Sequence, residues 1–192
     1  PELDRWIVSE LNALVADVTR SLDEYEPDAA ARGVESFVED LSNWYVRRSR
    51  RRFWKSDTDE DKLAAYATLH ECLVTLARLV APFIPFLSES MYQNLARSAG
   101  RGRESVHLED YPVADESLID EGLSEATRLA MRLSSLGRAA RSKAGIKVRQ
   151  PLERAVVTLQ GLPEEVISQV REELNVKEVV AIQDEAELLD YV

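Results

Sequence analysis

"VESFVEDLSNWYVRRSRRRFW", residues 34–54, decides the fold class. Val34, Phe37, Val38, Leu41 and Tyr45 recur at spacings of three and four, the period of an amphipathic helix with one buried stripe. Stepping about 100° per residue from Val34, Asn43, Arg47, Arg50 and Trp54 fall together on the opposite face, whereas Arg48 and Arg52 continue the apolar stripe. The two arginine groups are therefore expected to do different jobs. An arginine in line with core residues buries its stem and pairs with an acid from a neighbouring helix, which makes Arg48 and Arg52 structural. The outer group has a bland explanation in part, since Glu35, Glu39 and Asp40 lie early and the arginines late, as the helix dipole favours. The dipole calls for one or two cations and gives no reason for Trp54 to face water. An exposed indole beside guanidinium groups can stack on a base or sugar while the arginines fork onto phosphates, which points to RNA.

Outward from this stretch the chain reads as helix for most of its length. Ile7, Leu11, Leu14, Val18 and Leu22 predict a helix over 4–24, and "YEPDAA" closes it and opens the next with Pro27, whose missing N–H costs nothing at a helix start. Leu63, Tyr66, Leu69, Leu73, Leu76 and Val80 define the stripe of a third, reached through the acidic turn "SDTDED". Pro82 and Pro85 interrupt it, and Ile84, Leu87, Met91 and Leu95 mark a fourth. Residues 98–115 read as a loop with one short extended piece at "SVHL", and Ile119 to Leu133 begin a long fifth helix ending near Gly145. The period then changes. "RAVVTLQ" and "VKEVVAI" are short and β-branched, with the helical "PEEVISQVREEL" between them. The expected architecture is mainly α: a helical bundle over 1–145 with a small strand-helix-strand appendage over 146–192. Two strands cannot stabilise themselves alone, so the appendage must pack on the bundle or lead into further, C-terminal chain.

Composition sets limits on function. At 192 residues with 45% hydrophobic and 31% charged side chains, the chain can bury a sizeable core. One cysteine, Cys72, excludes a disulfide framework, and one cysteine with two histidines cannot assemble a zinc site of the usual spacing, so no metal is expected. The expected setting is a reducing cytoplasm, away from membranes, since no apolar run is long enough to span one and the N-terminus lacks signal-peptide character. A start without methionine suggests an excised piece. The net charge of -11 conceals segregation: residues 46–55 sum to +6 and residues 126–155 to +7, leaving -24 on the rest. Two basic islands on an acidic body suggest a polyanionic partner.

The motifs also carry a resemblance. "VEDLSNWYVRRSRRRFW" resembles the signature of the anticodon-binding domain of isoleucyl-tRNA synthetases, which are class I aminoacyl-tRNA synthetases. "APFIPFLSESMYQNL" is similar to a segment that related synthetases share in the same domain, and "ESVHLEDYP", "GIKVRQPL" and "REELNVKEV" follow in the order of the isoleucyl enzymes. Valyl and leucyl enzymes share the architecture but not this wording; the equivalent domain of one of them is an alternative. The resemblance implies a bundle that grips the anticodon stem-loop of an isoleucine tRNA, working beside the catalytic and C-terminal domains of the same parent chain, as a monomer. The parent would attach isoleucine to tRNA using ATP and Mg. The His-x-Gly-His and Lys-Met-Ser-Lys-Ser motifs of class I catalysis do not occur here, and neither His70 nor His107 has a serine or cysteine placed to act as a nucleophile. No catalytic residue and no cofactor are therefore expected in this stretch.

The expected tRNA contacts are Asn43, Trp44, Arg47, Arg50, Arg51, Trp54 and Lys55 in the first island and Arg141, Lys143, Lys147 and Arg149 in the second. The second island has two readings. The strip "RAARSKAGIKVRQP" could track an RNA backbone, or it could hold the appendage against the bundle. A different class of function also stays open: a helical scaffold whose basic patches dock acidic protein.

Overall fold

The computed structural model describes residues 1–54, 60–159 and 161–184, and is mainly α with one small sheet. Helix α1 spans Glu2–Asp23, with Glu2 and Asp4 in its first turn and Arg20 in its last, matching the dipole at both ends. Trp6, Ile7, Leu11, Leu14, Val15 and Val18 form its buried stripe. Pro27 starts α2, Pro27–Asp40. That helix passes without a break through a π-helical turn, Leu41–Val46, into α3, Arg47–Trp54. Helix α4 covers Glu60–Leu79, and the proline-bounded corner after it turns the chain into α5, Pro85–Tyr92, extended by a second π-turn over Gln93–Arg97.

These helices and the connection to Asp120 form one compact unit, in which α1 packs on α2 and α4, and α4 on α3 and α5. Polar residues on the buried face of α1 pin that connection. Ser9 Oγ accepts from the Asp120 amide at 2.8 Å and Asn12 Oδ1 from the Asp115 amide at 2.9 Å. The segment "SVHL", expected to be extended, is instead a 3₁₀ turn over Val106–Leu108. Ser105 caps it, and the Glu89 carboxylate accepts from both the Val106 amide and the Ser105 hydroxyl at 2.9 Å, a local closure that β-propensity does not anticipate.

The second compact unit begins at Glu121. It contains α6, Glu121–Lys143, then strand β1, Leu152–Thr158, helix α7, Glu164–Leu174, and strand β2, Val176–Ile182. The strands pair in parallel, Leu152 opposite Val176 and Thr158 opposite Ile182, with α7 as the crossover. Val166, Val170, Leu174, Val176, Val179 and Ile182 are buried. The division expected after Gly145 thus differs from the compact units, because α6 goes with the strands. Gly137 lets α6 approach α7 so closely that a Cβ there would come within 2.4 Å of a Leu174 methyl.

Candidate nucleic-acid interface

The outer face of α3 is built as its phase predicts. Asn43, Arg47, Arg50, Arg51 and Trp54 are exposed, Trp54 by 75%. Arg47 donates from Nε to the Asn43 carbonyl at 2.7 Å, and the Arg50 guanidinium lies 5.8 Å from the centre of the Trp54 indole. An indole held beside a cation at the water boundary presents one flat apolar face and a positive rim. Trp44 is a correction. It is buried, only 4% exposed, beneath the guanidinium groups of Arg47 and Arg48 at 5.7 and 5.2 Å, and has no surface to offer a base. The π-turn is the reason. It holds more residues per turn than an α-helix, so the inward positions recur every four residues through Leu41, Tyr45, Ser49 and Phe53, and Trp44 flanks that row. Lys55 lies outside the described residues.

The inner face of α3 is an ionic hub. Arg52 forks onto both oxygens of Asp4 at 2.6 and 2.7 Å, and its Nε meets both oxygens of Asp61 at 3.0 Å. The Tyr45 hydroxyl donates to the same Asp4 at 2.9 Å. The Asp4 carboxylate thereby joins α1 to α3 and the π-turn, and the Arg52 guanidinium carries the link on to α4. Burial pushes the Asp4 carboxyl up, but the Arg52 and Tyr45 hydrogen bonds outweigh it and hold the group below the ordinary carboxylate range. Burial and the Asp4 charge raise the Tyr45 phenol well above its usual value. Arg52 behaves as expected of an arginine in the core stripe; Arg48 lies over Trp44 instead of at the innermost position, which Ser49 occupies.

The second island divides in a way its charge does not reveal. Arg141 is buried, 5% exposed, and donates to four main-chain carbonyls: Lys147 at 3.1 Å, Gln150 at 2.9 Å, Leu174 at 2.6 Å and Asn175 at 3.2 Å. Asn175, in the left-handed conformation at the end of α7, donates its amide to the carbonyls of Val148 and Arg149 at 3.1 and 3.2 Å. Four successive carbonyls, 147 to 150, are thus clamped by two side chains. Lys143, Lys147 and Arg149 remain exposed. Arg141 is therefore removed from the expected RNA contacts, because its guanidinium is spent on backbone groups. Three other cations of this unit are paired with acids: Arg138 with Glu173, Arg154 with Glu178 and Lys177 with Glu153.

His70 Nε2 is 3.0 Å from the Leu95 carbonyl, His107 is exposed, and burial pushes the Cys72 thiol up to about 12.

The model of the anticodon-binding domain of tRNA ligase matches residues 4–157. The chain belongs to this family. The domain is similar along nearly its whole length to isoleucine–tRNA ligases. It is 60% identical to that of Dehalococcoides mccartyi over 183 residues, 92% of this chain and 18% of the relative. Against the Thermus thermophilus ligase it is 47% identical over 199 residues, 100% of this chain and 19% of the relative. Against that of Clostridium acetobutylicum it is 50% identical over 178 residues, 92% of this chain and 17% of the relative. The chain thus spans under a fifth of the length of these relatives. In this anticodon-binding domain, sequence reading missed the clamp at Arg141 and the acid that partners Arg52, since Asp4 is 48 residues away along the chain.

Proposed function

We propose that this anticodon-binding domain grips the anticodon stem-loop of an isoleucine tRNA through the outer face of α3. The observation that carries the reading is the split of one arginine run: Arg52 is turned inward onto Asp4 and Asp61, while Arg50, Arg51 and Trp54 are presented to solvent. A run needed only for stability would not leave an indole and two guanidinium groups outside. Lys143, Lys147 and Arg149, carried on a clamped main chain, supply a second set of phosphate contacts. The ATP- and Mg-dependent attachment of isoleucine belongs to parts of the longer relatives outside the matched stretch, with this domain as the positioning module of a monomeric cytoplasmic enzyme. Titration of the anticodon stem-loop at several salt concentrations tests the reading. Affinity should fall with a log–log slope of about -0.7 to -0.9 per neutralised phosphate, and Arg50→Ala or Arg51→Ala should flatten it by about one such unit. Binding that ignores salt, or an acidic polypeptide that competes as well as tRNA, would sink it.

A further inference from the structure

The apolar stripe of α4 does not lie where its period would put it. Ala65, Cys72 and Leu76 are buried, whereas Leu63 and Tyr66, which the sequence stripe groups with Leu76, are 60% and 48% exposed. One helical turn apart, they share a face of α4. That face adjoins the last turn of α3. The Tyr66 ring packs on Phe53 with centroids 5.1 Å apart and its hydroxyl reaches the Phe53 carbonyl at 3.4 Å, while Arg52 ties the same turn of α3 to Asp61 at the start of α4. Phe53 is followed directly by Trp54, with Arg50 against its ring. Through Phe53, an exposed tyrosine with an exposed leucine beside it is joined to the turn of α3 that carries Arg50 and the exposed Trp54.

We infer that Tyr66 and Leu63 extend the Trp54 surface into a platform that takes an unpaired nucleobase of the bound RNA. This rests on the reading of α3 as the RNA face. The occupant follows from the combination of charge and shape. A partner that meets guanidinium groups and flat apolar surface together must carry anionic groups and an exposed planar face, which an unstacked nucleotide does and a base-paired helix does not. Tyr66 is preorganised for this, because Phe53 already fixes its ring. The leucine supplies apolar contact without directional demand, so the platform is expected to accept more than one base.

The test compares two RNAs on the 192-residue chain: the anticodon stem-loop of an isoleucine tRNA, and a blunt duplex with the same number of phosphates. The wild type should prefer the stem-loop. Tyr66→Ser with Leu63→Ser should weaken stem-loop binding by roughly fivefold or more at every salt concentration, leave duplex affinity and the salt slope unchanged, and so erase the preference. Tyr66→Leu, which keeps apolar packing on Phe53, controls for folding and should lose part of the preference at an unchanged melting temperature. Stem-loop binding like wild type in these variants, while Arg50→Ala and Arg51→Ala weaken it, would overturn the platform and leave the α3 reading standing. Loss on both RNAs in parallel with a lowered melting temperature would overturn it equally, assigning Tyr66 and Leu63 to stability. Wild-type binding in the arginine variants too would remove the α3 reading itself.

Discussion

Arg52→Met tests the hub beneath the interface, because methionine keeps the apolar stem while deleting the charge. Asp4 and Arg52 side chains are 10% and 15% exposed, so the carboxylate left behind stays largely out of water. Breaking such a buried pair costs about 3 to 5 kcal/mol. The low end is expected, since the Tyr45 hydroxyl still donates to Asp4. Asp61 adds little, being 44% exposed and able to rehydrate, and exposed pairs contribute on the order of 1 kcal/mol or less. The pH dependence gives the sharper check. In the wild type the folded pKa of Asp4 lies below its ordinary 3.8, so its contribution is present above that value and is lost as pH falls through the folded pKa. In the variant the Tyr45 hydroxyl and the N-terminal charge still lower the carboxyl, but burial, the largest influence and one that raises its pKa, is no longer opposed by Arg52. Its penalty is then present above the raised value and relieved as pH falls through it. Urea unfolding of both proteins near pH ~7 and near pH ~4 should therefore show a stability gap of about 3 kcal/mol that narrows in acid. Carboxylates that do not touch Arg52 cancel in the difference. A gap below about 1 kcal/mol at neutral pH, or one that stays constant or widens in acid, would refute the argument.

Three further outcomes follow from the same geometry. Of the three tryptophans, Trp6 and Trp44 are 1% and 4% exposed and Trp54 75%, so acrylamide should quench one indole readily, and stem-loop binding should protect it; Trp54→Phe should abolish both effects. Arg141→Ala should destabilise the second unit by about 3 kcal/mol or more, since four carbonyls lose a charged donor. Arg141→Lys should rescue little, because a single ammonium cannot span the fork, and hydrogen exchange over 147–182 would report both. Gly137→Ala should lower the melting temperature despite alanine's better helix propensity, because its methyl would meet Leu174 and overpacking costs about 1 to 3 kcal/mol.

The α3 phase illustrates how far local pattern reaches. Helical rotation per residue is a property of the backbone, so Arg50 and Trp54 could be placed on one side and Arg52 on the other from residues 34 to 54 alone. The shift to β-branched runs after Gly145 likewise announced a strand-helix-strand unit, and β1, α7 and β2 follow it. Phase, however, says which residues share a face, not what covers that face. Trp44 is buried by guanidinium groups laid across it and by a π-turn that the residue pattern does not mark. Leu63 and Tyr66 group with the core stripe of α4 in the sequence yet are exposed, because the buried side of the helix runs through Ala65, Cys72 and Leu76, and at about 100° per residue Leu63 and Tyr66 turn away from it. Arg141 looked like its neighbours in a basic strip. Only the return of the chain at Leu174 and Asn175, 33 and 34 residues later, supplies the carbonyls that turn it inward. Sequence by itself determined the main helices, the two strands and the two faces of α3, which depend on near neighbours along the chain. Tertiary structure decided which charges are spent on the fold and which remain for a partner, because that division depends on groups brought together from far apart.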